Sequence, residues 1–176
     1  MYDKGMGSPI AKAWSASIFF SLAGLFSFAF VAPDSEFLLP HVIFYSILTI
    51  NTFFSVRLFS PIQPKDISQA AIDALLLVLY VATALSIGQS LGFAFFALCI
   101  FIAAPLKYSL MLGGVPFKDL LKRKILIDFA GTILCTFVLG ASLLGFELES
   151  AWALAVIFAV ANIHLLFIRP MYRFGA

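Results

Sequence analysis

Charge is what this chain has least of. Only 11% of its 176 residues are Asp, Glu, Lys or Arg, against about 25% in a soluble domain. So little charge excludes a water-facing surface. With 62% hydrophobic residues and a mean hydropathy of +1.07, membrane protein is the class that remains. The length leaves no room for a soluble domain beside a membrane-embedded one, so a single polytopic domain over 1–176 is expected.

Other absences narrow the chemistry. The two histidines, His41 and His164, fall near opposite ends of the membrane in any helical arrangement, which excludes a shared metal or a two-histidine haem. Cys99 and Cys135 lie inside apolar runs and are expected to be inert buried thiols. No nucleophile–base pair and no metal-ligand constellation stands out, so neither an enzyme nor a cofactor is expected. A Gly-rich phosphate loop is missing as well. Gly113-Gly114 reads as a turn before Pro116. No span is dense in arginine, which excludes a voltage sensor. Nucleic-acid binding has no basis beyond one short run of bases.

What the chain does have is long apolar runs. A bilayer-crossing helix needs roughly 20 apolar residues, and six stretches qualify, at about 12–32, 38–57, 68–87, 90–110, 123–145 and 150–168. They lack the two-residue alternation of a barrel strand. APDSEF, SPIQPKD, GQS, LGGVPFKDLLKRK and GFELES separate them with turn-forming residues. The expected fold is an all-α integral membrane protein of six transmembrane helices in three hairpins. The first run follows lysines, as a signal peptide would. It is about twenty residues long, with Pro33 after Ala32, so a retained first span is expected.

The bases then fix an orientation. Lys4, Lys12, Arg57, Lys65, Lys107, Lys118, Lys122, Arg123, Lys124, Arg169 and Arg173 all fall on one side of a six-span arrangement. The opposite loops hold Asp34, Glu36, Glu147 and Glu149 and no base. By the positive-inside rule both termini are cytoplasmic, with a bacterial inner membrane the expected location. Trp14, Tyr108 and Tyr172 fall near that side and Trp152 near the other, as an interfacial belt would. The run Lys118, Lys122, Arg123 and Lys124 faces the cytoplasm, either to attract anionic lipid or simply to set topology. Pro40 falls harmlessly in a first helical turn, whereas Pro105 either kinks span four and frees a carbonyl or, beside Lys107, simply marks its end.

Two acids fall within spans, Asp73 and Asp128. A carboxylate at a helix centre costs about 2.5–3.5 kcal/mol on the mildest insertion scale, so each is a functional candidate. Asp128 has Lys124 one turn below it on the same face. Asp73 lies eight residues past Lys65, with no cation in its own span, and Gln69 is placed to share its solvation. Asp128 continues into a small, polar stripe of Gly131, Thr132, Cys135 and Ser142, and Asn162 into one of Ala151, Ala155 and Ala159. Such stripes face protein. Ala13, Ser17, Ser21 and Gly24 form a packing stripe on span one.

Ile72-Asp73 and Ile127-Asp128 begin spans three and five, and Asn51 and Asn162 end spans two and six, a faint parallel repetition. Asp73, Asp128, Asn51 and Asn162 therefore form a candidate polar cluster in the cytoplasmic half. It would either bind a cation or proton or lock the bundle together. Two functions stay open. One is a transporter or channel component for a small solute, cation or proton. The alternative is a non-catalytic accessory or scaffold subunit of a larger membrane complex. The expected partners are the lipid bilayer and either further copies of the chain or other membrane subunits.

Overall fold

The structure, a computed structural model, describes residues 8–31, 35–113 and 118–168. Asp3, Lys4, Ala32, Pro33, Asp34, Gly114, Pro116, Arg169, Tyr172 and Arg173 lie outside them. Six helices run α1 (Pro9–Phe28), α2 (Leu38–Phe59), α3 (Ile67–Leu85), α4 (Ser90–Met111), α5 (Lys118–Leu143) and α6 (Glu147–Ile163). A π-helical turn, His164–Ile168, extends α6. No strand occurs among the described residues. All six are long and apolar enough to cross a membrane, counting the π turn with α6.

Local sequence explains the helix ends. Pro9 opens α1 at a position where its missing N–H costs nothing. Asp66 caps α3 by accepting the Gln69 N–H at 2.7 Å. Helix α5 begins at Lys118, about five residues before the apolar run, with Asp119 in its first turn where the helix dipole favours an acid. Between α3 and α4 the chain reverses at Gly88, whose φ of +90° suits a residue without a Cβ. The Gly88 N–H donates to Nδ1 of buried His41, which ties this turn to α2.

The sequence-adjacent pairs α1–α2, α3–α4 and α5–α6 each pack together. Further packing of α2 on α6, of α1 on α3 and, most extensively, of α4 on α5 closes them into a ring, ordered α1, α2, α6, α5, α4, α3. At one end the ring is filled by aromatic packing. Phe44 meets Phe158 at 4.5 Å and Phe93 at 5.5 Å between ring centres, and His41 stacks on Phe93 at 3.9 Å. The outside is apolar in turn. Phe137 is 73% and Leu22 60% exposed, an inverted surface that suits lipid.

Pro105 does not end α4; the helix continues to Met111. A proline leaves the carbonyl four residues earlier without its helical donor, and here that is Phe101. Thr132 of α5 donates its hydroxyl to the Phe101 carbonyl at 2.6 Å. The neighbouring Gly131 lets the Phe101 ring approach, since a Cβ there would stand 2.3 Å from it. Proline, threonine and glycine thus form one seam between α4 and α5. The α1 stripe also packs: Ala13 and Ser17 are buried and Gly24 meets Tyr45, but Ser21 is exposed.

Candidate functional site

At the other end the ring is not filled. A cavity of about 680 Å³ opens there, lined by α1, α2, α3, α4, the α2–α3 loop and two residues of α5. Lys12, Lys65, Lys107 and Lys124 all line it, so these bases share one end of the bundle. We refer to it as the basic end. Lys12, Pro61 and Lys65 are exposed members of the cavity lining at this end, and Leu77, farther along α3, is exposed as well.

Residues from four helices and a loop meet on the polar wall. The Lys107 ammonium lies 2.7 Å from Oδ1 of Asp73, and Gln63 Nε2 donates to the other carboxylate oxygen at 2.5 Å. Asp73 is therefore held from α4 and from the α2–α3 loop. Gln69 does not share its solvation; it donates instead to the Lys107 backbone carbonyl at 3.3 Å. Across the wall, Lys124 pairs with Asp128 on its own helix, as the four-residue spacing suggested. The ring of Tyr108 stands between the two pairs, with Lys107 Nζ 6.0 Å and Lys124 Nζ 5.3 Å from its centre. Its hydroxyl is 2.5 Å from that of Ser55 on α2. Tyr108 is thus buried in the site and takes no part in an interfacial belt.

The two ion pairs differ in access. Side-chain exposure is 6% for Lys124 and 3% for Asp128, but 14% for Lys107 and 41% for Asp73. Both pairs line the cavity, but Lys124–Asp128 is almost inaccessible whereas Asp73 is open.

The inner end is closed by aromatic rings. Phe20 and Tyr80 stack at 4.4 Å between α1 and α3. The Tyr45 hydroxyl shares its proton between the carbonyls of Phe20 at 3.2 Å and Tyr80 at 3.4 Å. Thr52 donates to the Leu48 carbonyl, so the 2.6 Å contact between Thr52 and Tyr80 has the Tyr80 hydroxyl as donor. This plug is fixed on three helices.

Of the four expected cluster members, Asp73, Asp128 and Asn51 line the cavity. Asn162 does not join them. It is buried elsewhere on α6, where its side-chain N–H donates to the Phe158 carbonyl of its own helix. The suggested equivalence of Asn51 and Asn162 has no counterpart in their surroundings. The basic run also divides. Lys118, Lys122 and Arg123 are exposed, with Lys122 4.0 Å from Asp119, whereas Lys124 turns into the bundle and cannot face lipid headgroups.

Sequence reasoning missed Lys107, Gln63, Tyr108 and Tyr80. A hairpin reversing near Gly88 sets the start of α3 beside the end of α4, and that geometry was the available signal for Lys107. Cys135 is fully buried and Cys99 partly so, both as free thiols.

The fold and site together define a helical bundle of membrane-protein character with a cavity lined by charged residues at its basic end. Compared with known protein families, curated proteins and solved structures, the chain matches none.

Proposed function

We propose that the chain is a membrane carrier for a small solute, seen with its binding cavity open at the cytoplasmic, basic end and shut at the other. One observation carries this reading: a cavity of about 680 Å³ with ionisable walls, closed inward by the Phe20–Tyr80 stack. Its size falls within the usual range of small-molecule sites, about 300–1,000 Å³. A water-accessible cavity is also where a membrane bundle tolerates ionisable side chains. Alternating access needs a site open to one side only, with a closure that can be remade on the other. The plug between α1 and α3 is that closure. Asp73 is the coupling group, because of the two paired acids in the lining it is the accessible one.

The test is flux in proteoliposomes loaded with a pH-sensitive dye, screened against a panel of small organic anions, cations and neutral solutes. The expected result is solute-dependent proton movement that Asp73→Asn abolishes while leaving the folded yield intact. Wild-type flux in that variant removes Asp73 from the mechanism. A chain that gives no flux and leaves mild detergent bound to foreign subunits is the accessory subunit of the alternative reading.

A further inference from the structure

The cavity-facing ion pair says which kind of solute fits. We propose, resting on the carrier reading, that the cavity binds a small organic anion with an apolar body, whose carboxylate takes Lys107 from Asp73 as Asp73 takes up a proton.

The lining is richer in base than in acid. Lys12, Lys65, Lys107 and Lys124 face Asp66, Asp73 and Asp128, and Asp66 is already engaged as the α3 cap. A cation would enter a positively biased cavity and compete with an ammonium 2.7 Å from Asp73. An anion meets the opposite field. Farther from the basic end along each helix, the walls become apolar, with Phe20, Leu48, Leu76, Ile100 and Phe101. A ligand charged at one end and apolar at the other matches that gradient.

The coupling follows from the number of charges. Lys107 has one positive charge, and Asp73 and a bound carboxylate both compete for it. Holding two carboxylates beside one ammonium in a confined site is unfavourable. A proton from water on an Asp73 oxygen breaks its ion pair and frees Lys107. The ligand carboxylate then takes the ammonium, and the site gains one anion and one proton with no net charge. Around Asp73 the charged or titratable groups are Lys12 on α1, Tyr80 on α3, Lys65 and Asp66 next to the loop, Lys107 and Tyr108 on α4, and Lys124 and Asp128 on α5. The α5 pair is sealed and self-neutral, so Asp73 and Lys107 form the pair that can open.

Three probes share one body and differ in charge: phenylbutyrate, phenylbutylamine and phenylbutyramide. Titration calorimetry on the full chain in lipid nanodiscs, with empty nanodiscs as blank, gives affinity. Repeating it in buffers of different ionisation enthalpy counts protons. Phenylbutyrate is expected to bind with uptake of about one proton, so its affinity rises as pH falls, by up to about tenfold per unit. The amine and amide bind at least about tenfold more weakly. Asp73→Asn binds phenylbutyrate without proton uptake, and its affinity no longer varies with pH. Lys107→Gln loses about tenfold or more. The double variant Asp73→Asn/Lys107→Gln, which leaves no orphaned charge, loses the same. Equal or tighter binding of the amine overturns the proposal, as does phenylbutyrate binding without proton uptake or undiminished binding by the folded double variant. Coupled binding without flux in proteoliposomes supports the site and overturns the carrier reading. Flux of other solutes with no phenylbutyrate binding does the reverse.

Discussion

The sealed pair Lys124–Asp128 offers the sharpest test of what holds the cavity wall together. Removing one member of a buried ion pair costs about 3–5 kcal/mol, because the other is left as an uncompensated charge. With side chains only 6% and 3% exposed, both groups are almost wholly shielded from water. Asp128→Leu leaves Lys124 with the Tyr108 ring at 5.3 Å among its contacts. A cation–π contact recovers about 1 kcal/mol, so the loss is expected near 2–4 kcal/mol. Lys124→Met leaves a carboxylate whose Oδ2 already has no hydrogen bond, and the full loss of about 3–5 kcal/mol is expected. The double variant Lys124→Met/Asp128→Leu replaces the pair by apolar groups and should return to wild-type stability or above it. Unfolding in mixed micelles, followed through the two tryptophans, reads all four proteins. The sign with pH is a second check. An orphaned carboxylate is relieved by gaining a proton, so the Lys124→Met deficit shrinks as pH falls. An ammonium that has lost its carboxylate is relieved by losing a proton, so the Asp128→Leu deficit shrinks as pH rises, each by up to about 1.4 kcal/mol per unit. Near-neutral single variants, or a double variant no better than the worse single, would refute this account.

Other variants probe the frame around the cavity. Thr132→Val should cost about 1–2 kcal/mol by orphaning the Phe101 carbonyl, and much less beside Pro105→Ala, which restores that carbonyl's helical donor; the same unfolding assay gives the cycle. Gly131→Ala drives a methyl to 2.3 Å from Phe101, and overpacking of this kind costs about 1–3 kcal/mol in unfolding experiments. At Gly88, a Cβ would stand 2.6 Å from Val31 at a φ of +90°, so Gly88→Ala should lower stability by about 1–3 kcal/mol in that same assay. Single cysteines replacing Lys118 and Glu147 should react with an impermeant maleimide from opposite faces of a sealed vesicle; labelling from one face would refute the six-crossing arrangement.

Six helices were legible because apolar runs of spanning length leave little alternative, and their ends fell within a few residues of the composition breaks. The largest offset, at Lys118, arose because a helix can start in a charged segment before the apolar run begins. Within the site, Lys124–Asp128 was legible because it is an i,i+4 pair on one helix. Asp73 was legible as an anomaly but not as an ion pair, since Lys107 reaches it only through the packing of α3 on α4. Gln69 misled because residues one turn apart share a face, whereas its amide turns to α4 instead. Asn162 misled for a related reason. A buried polar residue on a small-residue stripe need not reach a cavity when its own helix offers a carbonyl. For Pro105 the sequence leaves open a freed carbonyl within the span or a helix end; α4 runs through it, and the donor to that carbonyl is Thr132 on another helix, which sequence alone does not place.

The two ion pairs also differ in when they can form. Lys124 and Asp128 belong to one helix, so α5 leaves the ribosome already carrying its own counter-charge. Asp73 is synthesised before Lys107, and α3 alone has an acid in its apolar stretch with no cation beside it. During biogenesis the hairpin α3–α4, and not the single helix, is therefore the smallest segment that carries this carboxylate already paired.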